Sequence, residues 1–436
     1  MSNTLPKKFL SFEKLDYFTL ENRRKRSYNI PALQLVYKKY SRIDYKKELL
    51  LKILKSFLKL FPVQPKCLIP KHKIKKILLI KFGHLGDKLL FESVPRVLKE
   101  NFPHAEITLL TNSNSLSFLE RFCDINRFYI FNHPNFVKFN EKKDSSLKFL
   151  RLLFRLRREK YDLVFEFRGQ WQASLFALLS AARYKVGYSN ALTRPFYNFN
   201  VEDNYDEHEI FRNLKLLRAL SLSIKHPYPR ILLSENNDLF LNNFIRKYKV
   251  NSRNNIIGIH IGAGWGPKTY PIDYFIKVIN SLAKSNQIIV FYGYEDLNRL
   301  NKLKKGITRK VIIPSILSFD EFVTITNLCN MFVGSDSGPI HLSQILNIPT
   351  IALFSSGDYI RFGTFRKNSI TLRSNLECSP CSIDGISPSP LDDKNCIRSF
   401  KVCPILYNIK PFRITELIKN KLKDNNNLRY ILKDEK

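Results

Sequence analysis

The sequence predicts an α/β protein made of two successive parallel-sheet units. Three observations carry this expectation. Short apolar runs alternate with longer helical stretches from Ile74 onward, the alternation begins afresh near Ile256, and in each half the first apolar run ends in a glycine-containing turn. The expected strands of the first half are Ile77–Ile80, Ile107–Leu110, Phe128–Phe131 and Leu163–Phe167. Those of the second are Ile256–His260, Ile288–Tyr292, Val311–Ile313, Phe332–Gly334 and Thr350–Phe354. The polar segment Ser234–Asn255, Asn-rich at its ends, is read as a helix and the linker between the halves. Three segments result: a basic, partly helical extension over 1–73, a first domain over 74–245, and a second over 246–436 with a C-terminal helix.

Composition narrows the function classes. With 44% hydrophobic residues the chain buries substantial cores, which excludes disorder throughout. The longest apolar runs, such as Ile348–Phe354, are far shorter than a bilayer span, and Met1–Lys25 holds no uninterrupted apolar stretch. Seven cysteines are too few for a disulfide-built scaffold and agree with a reducing compartment, so the expected location is cytoplasmic. The formal net charge of +34 calls for an anionic partner: nucleic acid, phospholipid or a phosphorylated substrate. That charge is unevenly placed, with twenty basic and five acidic residues in the first 76. Within Lys46–Phe61, Leu50, Ile53, Leu54, Phe57, Leu58 and Phe61 fall on one face of a helix, and Lys52, Lys55 and Lys59 on the other. Such a helix either lies on an anionic membrane or packs on the domain behind it with a solvated Lys face.

Candidate chemistry clusters at the turns. After Ile77–Ile80 comes Lys81-Phe82-Gly83-His84-Leu85-Gly86-Asp87, where small residues and a helix start admit an anion. Two roles are open to Asp87 at the C-terminal end of a parallel strand: a helix N-cap or an acid–base group. In the second half His260-Ile261-Gly262-Ala263-Gly264-Trp265-Gly266-Pro267-Lys268 suits a diphosphate, with Lys268 as a point charge, or is a plain glycine-rich turn. Further on, Gly334-Ser335-Asp336-Ser337-Gly338-Pro339-Ile340-His341 places free N–H groups and His341 on a first helical turn.

These segments together resemble glycosyltransferase family 9, the lipopolysaccharide heptosyltransferase family, over about residues 74–404. The resemblance is carried by Lys76–Asp87, Phe167-Arg168-Gly169-Gln170, Arg183–Tyr188, Ile257–Lys268, Gly334–Leu342 and Pro349–Phe354. It implies a GT-B architecture, two Rossmann-like domains facing across a cleft, with the acceptor on the first and the nucleotide sugar on the second. The implied activity is inverting, metal-independent transfer of a sugar, a heptose from ADP-heptose, to a lipopolysaccharide core or related lipid-linked anionic saccharide. The chain would then work at the cytoplasmic side, peripheral to the inner membrane. Carried over residue by residue, Asp87 matches the base. Gly262, Gly264, Lys268, Asp336, Ser337, Gly338 and His341 match donor-binding positions, as does Glu295 or its neighbour Asp296, and Arg168, Gln170 and Arg183 fall on the acceptor side. No Asp-x-Asp pair occurs to hold a divalent ion, in keeping with a site that has no metal. The chain departs from the family at Ile261, which replaces a Pro, at Ser337, which replaces a Thr, and at Ser355-Ser356, which bears on donor identity.

Cys378, Cys381, Cys396 and Cys403 lie within 26 residues and could hold a structural zinc, but their spacing does not match paired C-x2-C knuckles, and packed thiols are the alternative. Two rival functions are weaker. A basic nucleic-acid binder would carry a zinc-finger or aromatic RNP signature, and none is present, so no nucleic-acid partner is expected. A nicotinamide oxidoreductase would need G-x-G-x-x-G, and the first turn has only two glycines, three apart.

Overall fold

The computed structural model describes residues 15–18 and 69–431, except 114–115, 120, 123, 134–142, 191–192, 204–206, 232–236, 252, 375–378 and 380–402. The chain forms two compact units, Tyr37–Ile231 and Met1–Val36 together with Leu232–Lys436. Strands are numbered along the chain. β1 (Leu15–Phe18) belongs to the second unit; β2 (Lys76–Ile80), β3 (Glu106–Thr111), β4 (Arg127–Ile130), β5 (Leu163–Glu166), β6 (Tyr184–Tyr188) and β7 (Phe199–Val201) form the first.

The first sheet has the order β4-β3-β2-β5-β6-β7 with every pairing parallel. Ile77 to Ile80 are fully buried, as an apolar run needs when both faces of a parallel sheet are covered. The helices Ser146–Arg158 and Trp171–Leu179 supply part of that cover through Leu152, Leu156, Phe176 and Ala177, which pack with Leu78 and Ile80. From β2 the chain runs outward to β4, then returns to β5 and runs the other way to β7. The order therefore reverses between β2 and β5, and at such a reversal open α/β sheets bind ligands in the crevice outside the C-terminal strand ends.

The second sheet repeats the scheme with β8 (Ile256–His260), β9 (Gln287–Phe291), β10 (Met331–Ser335), β11 (Thr350–Phe354) and β12 (Ile370–Ser374), in the order β1-β12-β11-β10-β8-β9. All pairs are parallel except β1 with β12. The reversal here lies between β8 and β10. Its core joins Ile257, Ile259, Val290, Val333 and Leu353 to Ile414 and Ile418 of the long helix Pro411–Ile431.

The structure adds to the expected elements and corrects some. Val311–Ile313 is not a strand: only Ile312 makes an isolated bridge, to Ile289. β6, β7 and β12 were not anticipated, because Lys185, Asn200 and Arg373 interrupt their apolar runs. The helix expected after Ser234 is Asp238–Tyr248, and its Phe244 packs with Ile256, Ile289 and Phe332. It therefore belongs to the second unit, and the division falls between Ile231 and Leu232 where the sequence was read as dividing at 245/246. The first segment, read as a basic, partly helical extension, contributes strand β1 to the edge of the second sheet. Its basic helix over Lys46–Phe61 lies outside the described residues. Among the described residues no helix is long and apolar enough to cross a membrane.

Candidate active site

In the first unit the polar groups gather at the β2/β5 reversal. After β2, the Gly83 N–H donates to Asn112 Oδ1 (3.1 Å), and the short helix Leu85–Leu89 begins at His84. Asp87 is the third residue of that helix, and its Oδ2 accepts the His84 N–H (2.9 Å) in a capping box. The N-cap is therefore His84 and not Asp87, which serves as the third-position partner of the capping box, and Asp87 Oδ1 stands 4.0 Å from Arg168 Nη1, after β5. Gly83 allows this fold-back: it has φ +150°, and a Cβ there would lie 2.8 Å from Asp87 Cβ, Cγ and Oδ2. Burial pushes the Asp87 carboxyl up, but Arg168 and then Lys81 outweigh it and hold the group below the usual carboxylate range. Asp87 is therefore ionised at neutral pH.

Arg168 is set in place from beneath. Glu166, fully buried at the end of β5, accepts the backbone N–H groups of Arg168 (2.6 Å) and Gly169 (3.0 Å) and the hydroxyl of Tyr197 (2.9 Å). Gly169 has φ +74° and lies against Tyr188, which completes a turn that few other residues could make. Below Asp87, Lys81 Nζ donates to Glu209 Oε1 (2.6 Å) and Asn213 Oδ1 (3.0 Å). Arg212 carries the network on: it pairs with Asp203, donates to the Phe167 carbonyl (3.1 Å) and stacks on Tyr188 at 4.1 Å. Burial pushes the Lys81 ammonium down, opposed first by Glu209.

The other acceptor-side candidates divide. Gln170, half-buried, caps the helix Trp171–Leu179 from the same crevice. Arg183 does not join it: exposed and 5.3 Å over the Tyr184 ring, it precedes β6 and so sits at the opposite end of the sheet.

In the second unit the β8/β10 reversal brings Lys268 and Asp336 together, Nζ to Oδ2 at 2.6 Å. A Cβ at Gly357 would run into this pair, so the turn after β11 closes around it, and Ser355 Oγ donates to the Pro267 carbonyl at 3.1 Å to bind that turn to the Lys268 loop. Ser337 caps the helix Gly338–Ile345 and donates through Oγ to the Ser335 carbonyl (2.9 Å). His341 is buried on that helix, its ring 6.4 Å from Phe362. Gly264 has open space around it. Gly262 is tightly held, because a Cβ there would overlap the Asp296 carboxylate, which accepts the Gly293 N–H (2.9 Å). Of the two acids left open by the sequence, Asp296 is the buried one against the glycine loop and Glu295 is exposed. Arg299 fixes the same loop by donating to the carbonyls of Ile261 (2.9 Å) and Tyr270 (2.6 Å).

Sequence reasoning missed Glu166, Glu209, Arg212, Asn112, Arg299 and Gly357. Charged residues inside or just beyond an apolar run, as Glu166 is in Leu163–Phe167, were the signal that could have found the first of these. Cys403 is buried, while Cys378, Cys381 and Cys396 lie outside the described residues. Among the described residues no three His, Cys, Asp or Glu side chains gather as metal ligands.

Two parallel-sheet units, each with its polar residues at the reversal of strand order, make a GT-B fold. The chain belongs to glycosyltransferase family 9 (heptosyltransferase), whose family-wide pattern matches residues 149–386. It is similar to lipooligosaccharide heptosyltransferase 2 of Campylobacter jejuni, 25% identical over 353 residues that cover 78% of this chain and 96% of the relative. Among solved structures, Escherichia coli ADP-heptose lps heptosyltransferase II has a TM-score of 0.59 at 17% identity, covering 80% of this chain and 99% of its own. The E. coli heptosyltransferase WaaC with ADP has a TM-score of 0.55 at 15% identity, covering 79% and 99%.

Proposed function

We propose that the chain transfers a heptosyl group from ADP-heptose to a lipopolysaccharide core or a related lipid-linked anionic saccharide, by an inverting, metal-independent mechanism. The observation that carries the reading is the ionised Asp87 at the first sheet's reversal, held by the His84 N–H on one oxygen with Arg168 near the other. The relatives' names, which specify heptose transfer and ADP-heptose, support that choice of donor. In this reading Asp87 takes the proton of the acceptor hydroxyl as its oxygen attacks the anomeric carbon. The bond from that carbon to the diphosphate oxygen breaks on the opposite face, and the configuration inverts.

The leaving diphosphate gains charge as its bond breaks. Lys268, the N–H groups of Ser337 and Gly338, and His341 meet that charge in place of a divalent ion, with the N-terminus of the helix Gly338–Ile345 oriented to add its dipole. Gly262 and Gly264 let the backbone approach the donor, with Asp336 and Glu295 as further donor contacts and Arg168 and Gln170 facing the acceptor. The basic first segment suits an anionic membrane at the cytoplasmic face, where a lipid-linked acceptor resides. The test is a donor screen of ADP-heptose against UDP- and GDP-sugars with a heptose-deficient core acceptor, in the presence of EDTA. Transfer from ADP-heptose with inverted configuration by NMR is expected. Selective use of another nucleotide sugar, a retained configuration, or loss of turnover in EDTA would each overturn the corresponding part.

A further inference from the structure

The helix Ser146–Arg158 presents an outer face that a water-facing helix rarely has. Leu147, Leu150 and Phe154 are 57%, 50% and 68% exposed. At about 100° per residue these three share one stripe, turned away from the Leu152 and Leu156 side that packs on the sheet. Arg157 flanks the stripe on one side, and Arg151, Arg155 and Arg158, all exposed, flank it on the other. No acidic residue occurs between Ser146 and Arg158. An exposed apolar strip rimmed by cations on both sides is the form of an interfacial helix, whose apolar residues enter the headgroup boundary while long basic side chains reach back to phosphates.

The placement fits. Phe149 lies 5.8 Å from Phe131, which directly follows β4, so the first turns of the helix stand at the C-terminal end of the sheet, the end that carries Asp87. Trp171, 45% exposed, opens its helix at that same end. Other occupants meet like charge. The first 76 residues hold twenty basic and five acidic side chains, and a second copy of this helix would set arginine against arginine.

We propose that the helix Ser146–Arg158 docks the first unit onto an anionic phospholipid bilayer, with Leu147, Leu150 and Phe154 entering the interface and Arg151, Arg155, Arg157 and Arg158 holding lipid phosphates. This rests on the reading of a lipid-linked acceptor only for its purpose: it brings the Asp87 end of the sheet to the surface where such an acceptor resides.

The experiment uses the full chain with vesicles of phosphatidylglycerol and phosphatidylcholine, against phosphatidylcholine alone. In Phe154→Trp, the emission added over wild type is expected to shift to the blue and to be quenched by brominated lipid on anionic vesicles. The triple variant Arg151→Glu/Arg155→Glu/Arg158→Glu should raise the lipid concentration for half-saturation about a hundredfold or more, since three basic side chains near such a surface are reversed in charge. Leu150→Ser/Phe154→Ser should weaken binding comparably, and near-UV circular dichroism confirms that each variant folds. The proposal is overturned if wild type ignores anionic vesicles, if the emission added by Phe154→Trp stays unshifted while the protein is vesicle-bound, or if folded charge and apolar variants bind as wild type. Transfer to a delipidated, soluble acceptor is measured alongside. Its absence in wild type would count against the functional reading, while the vesicle data would still decide the docking surface.

Discussion

Arg168 Nη1 stands 4.0 Å from Asp87 Oδ1, although the two residues lie on different strand ends about eighty positions apart in sequence. The guanidinium lowers the Asp87 carboxyl at a distance longer than that of a tight bidentate pair, and in the proposed mechanism that carboxylate receives the proton of the acceptor hydroxyl.

Asp87→Asn should therefore abolish most turnover, by about 10²-fold or more, while ADP binding measured by calorimetry stays within about threefold of wild type. Turnover close to wild type would remove Asp87 from the role of base.

The same pair sets a pH dependence. With Asp87 as the base and its carboxyl held below the ordinary value, kcat/KM should be full at neutral pH and fall as pH drops through that lowered value. Arg168→Ala removes the larger of the two cationic influences, and the acid limb of the pH–rate profile should move upward.

At the second reversal, Lys268→Ala should weaken ADP binding by about tenfold or more, because the diphosphate loses a direct cation and Asp336 is left buried without its partner. Asp336→Asn releases Lys268 from its carboxylate and should cost less binding of ADP alone. Calorimetric titration of both variants distinguishes these outcomes.

Two substitutions probe the scaffold. Gly262→Ala puts a methyl group into the Asp296 carboxylate and should destabilise the fold by about 1–3 kcal/mol in urea titration. Lys81→Met takes the nearest cation from buried Glu209, which keeps Arg212 at 3.7 Å, and should cost about 3 kcal/mol, with partial recovery in Lys81→Met/Glu209→Gln.

The two glycine turns were legible in the sequence because each is a local pattern, a strand, small residues and a helix start within about twelve positions. The partnerships across them were not. Asp87 meets Arg168 and Lys268 meets Asp336 only because β2 adjoins β5 and β8 adjoins β10, and strand order is written nowhere in the chain. The buried network of Glu166, Glu209, Arg212 and Asp203 was hidden for a related reason: each charge, taken alone, reads as a strand end or a solvated helix face. Arg183 shows the converse, since its motif suited a ligand contact while its place before β6 turns it to the far end of the sheet.

Strand β1 pairs Leu15–Phe18 with Thr371–Ser374 of β12. The edge of the second sheet is thus closed by residues that leave the ribosome long before their partner does. Once made, β12 has no neighbour on that side until β1 returns to it, and an unpaired edge invites pairing with other chains. Order of synthesis and order of assembly run opposite in this unit: its outermost strand is translated ahead of the rest of the sheet and can be fitted only near the end.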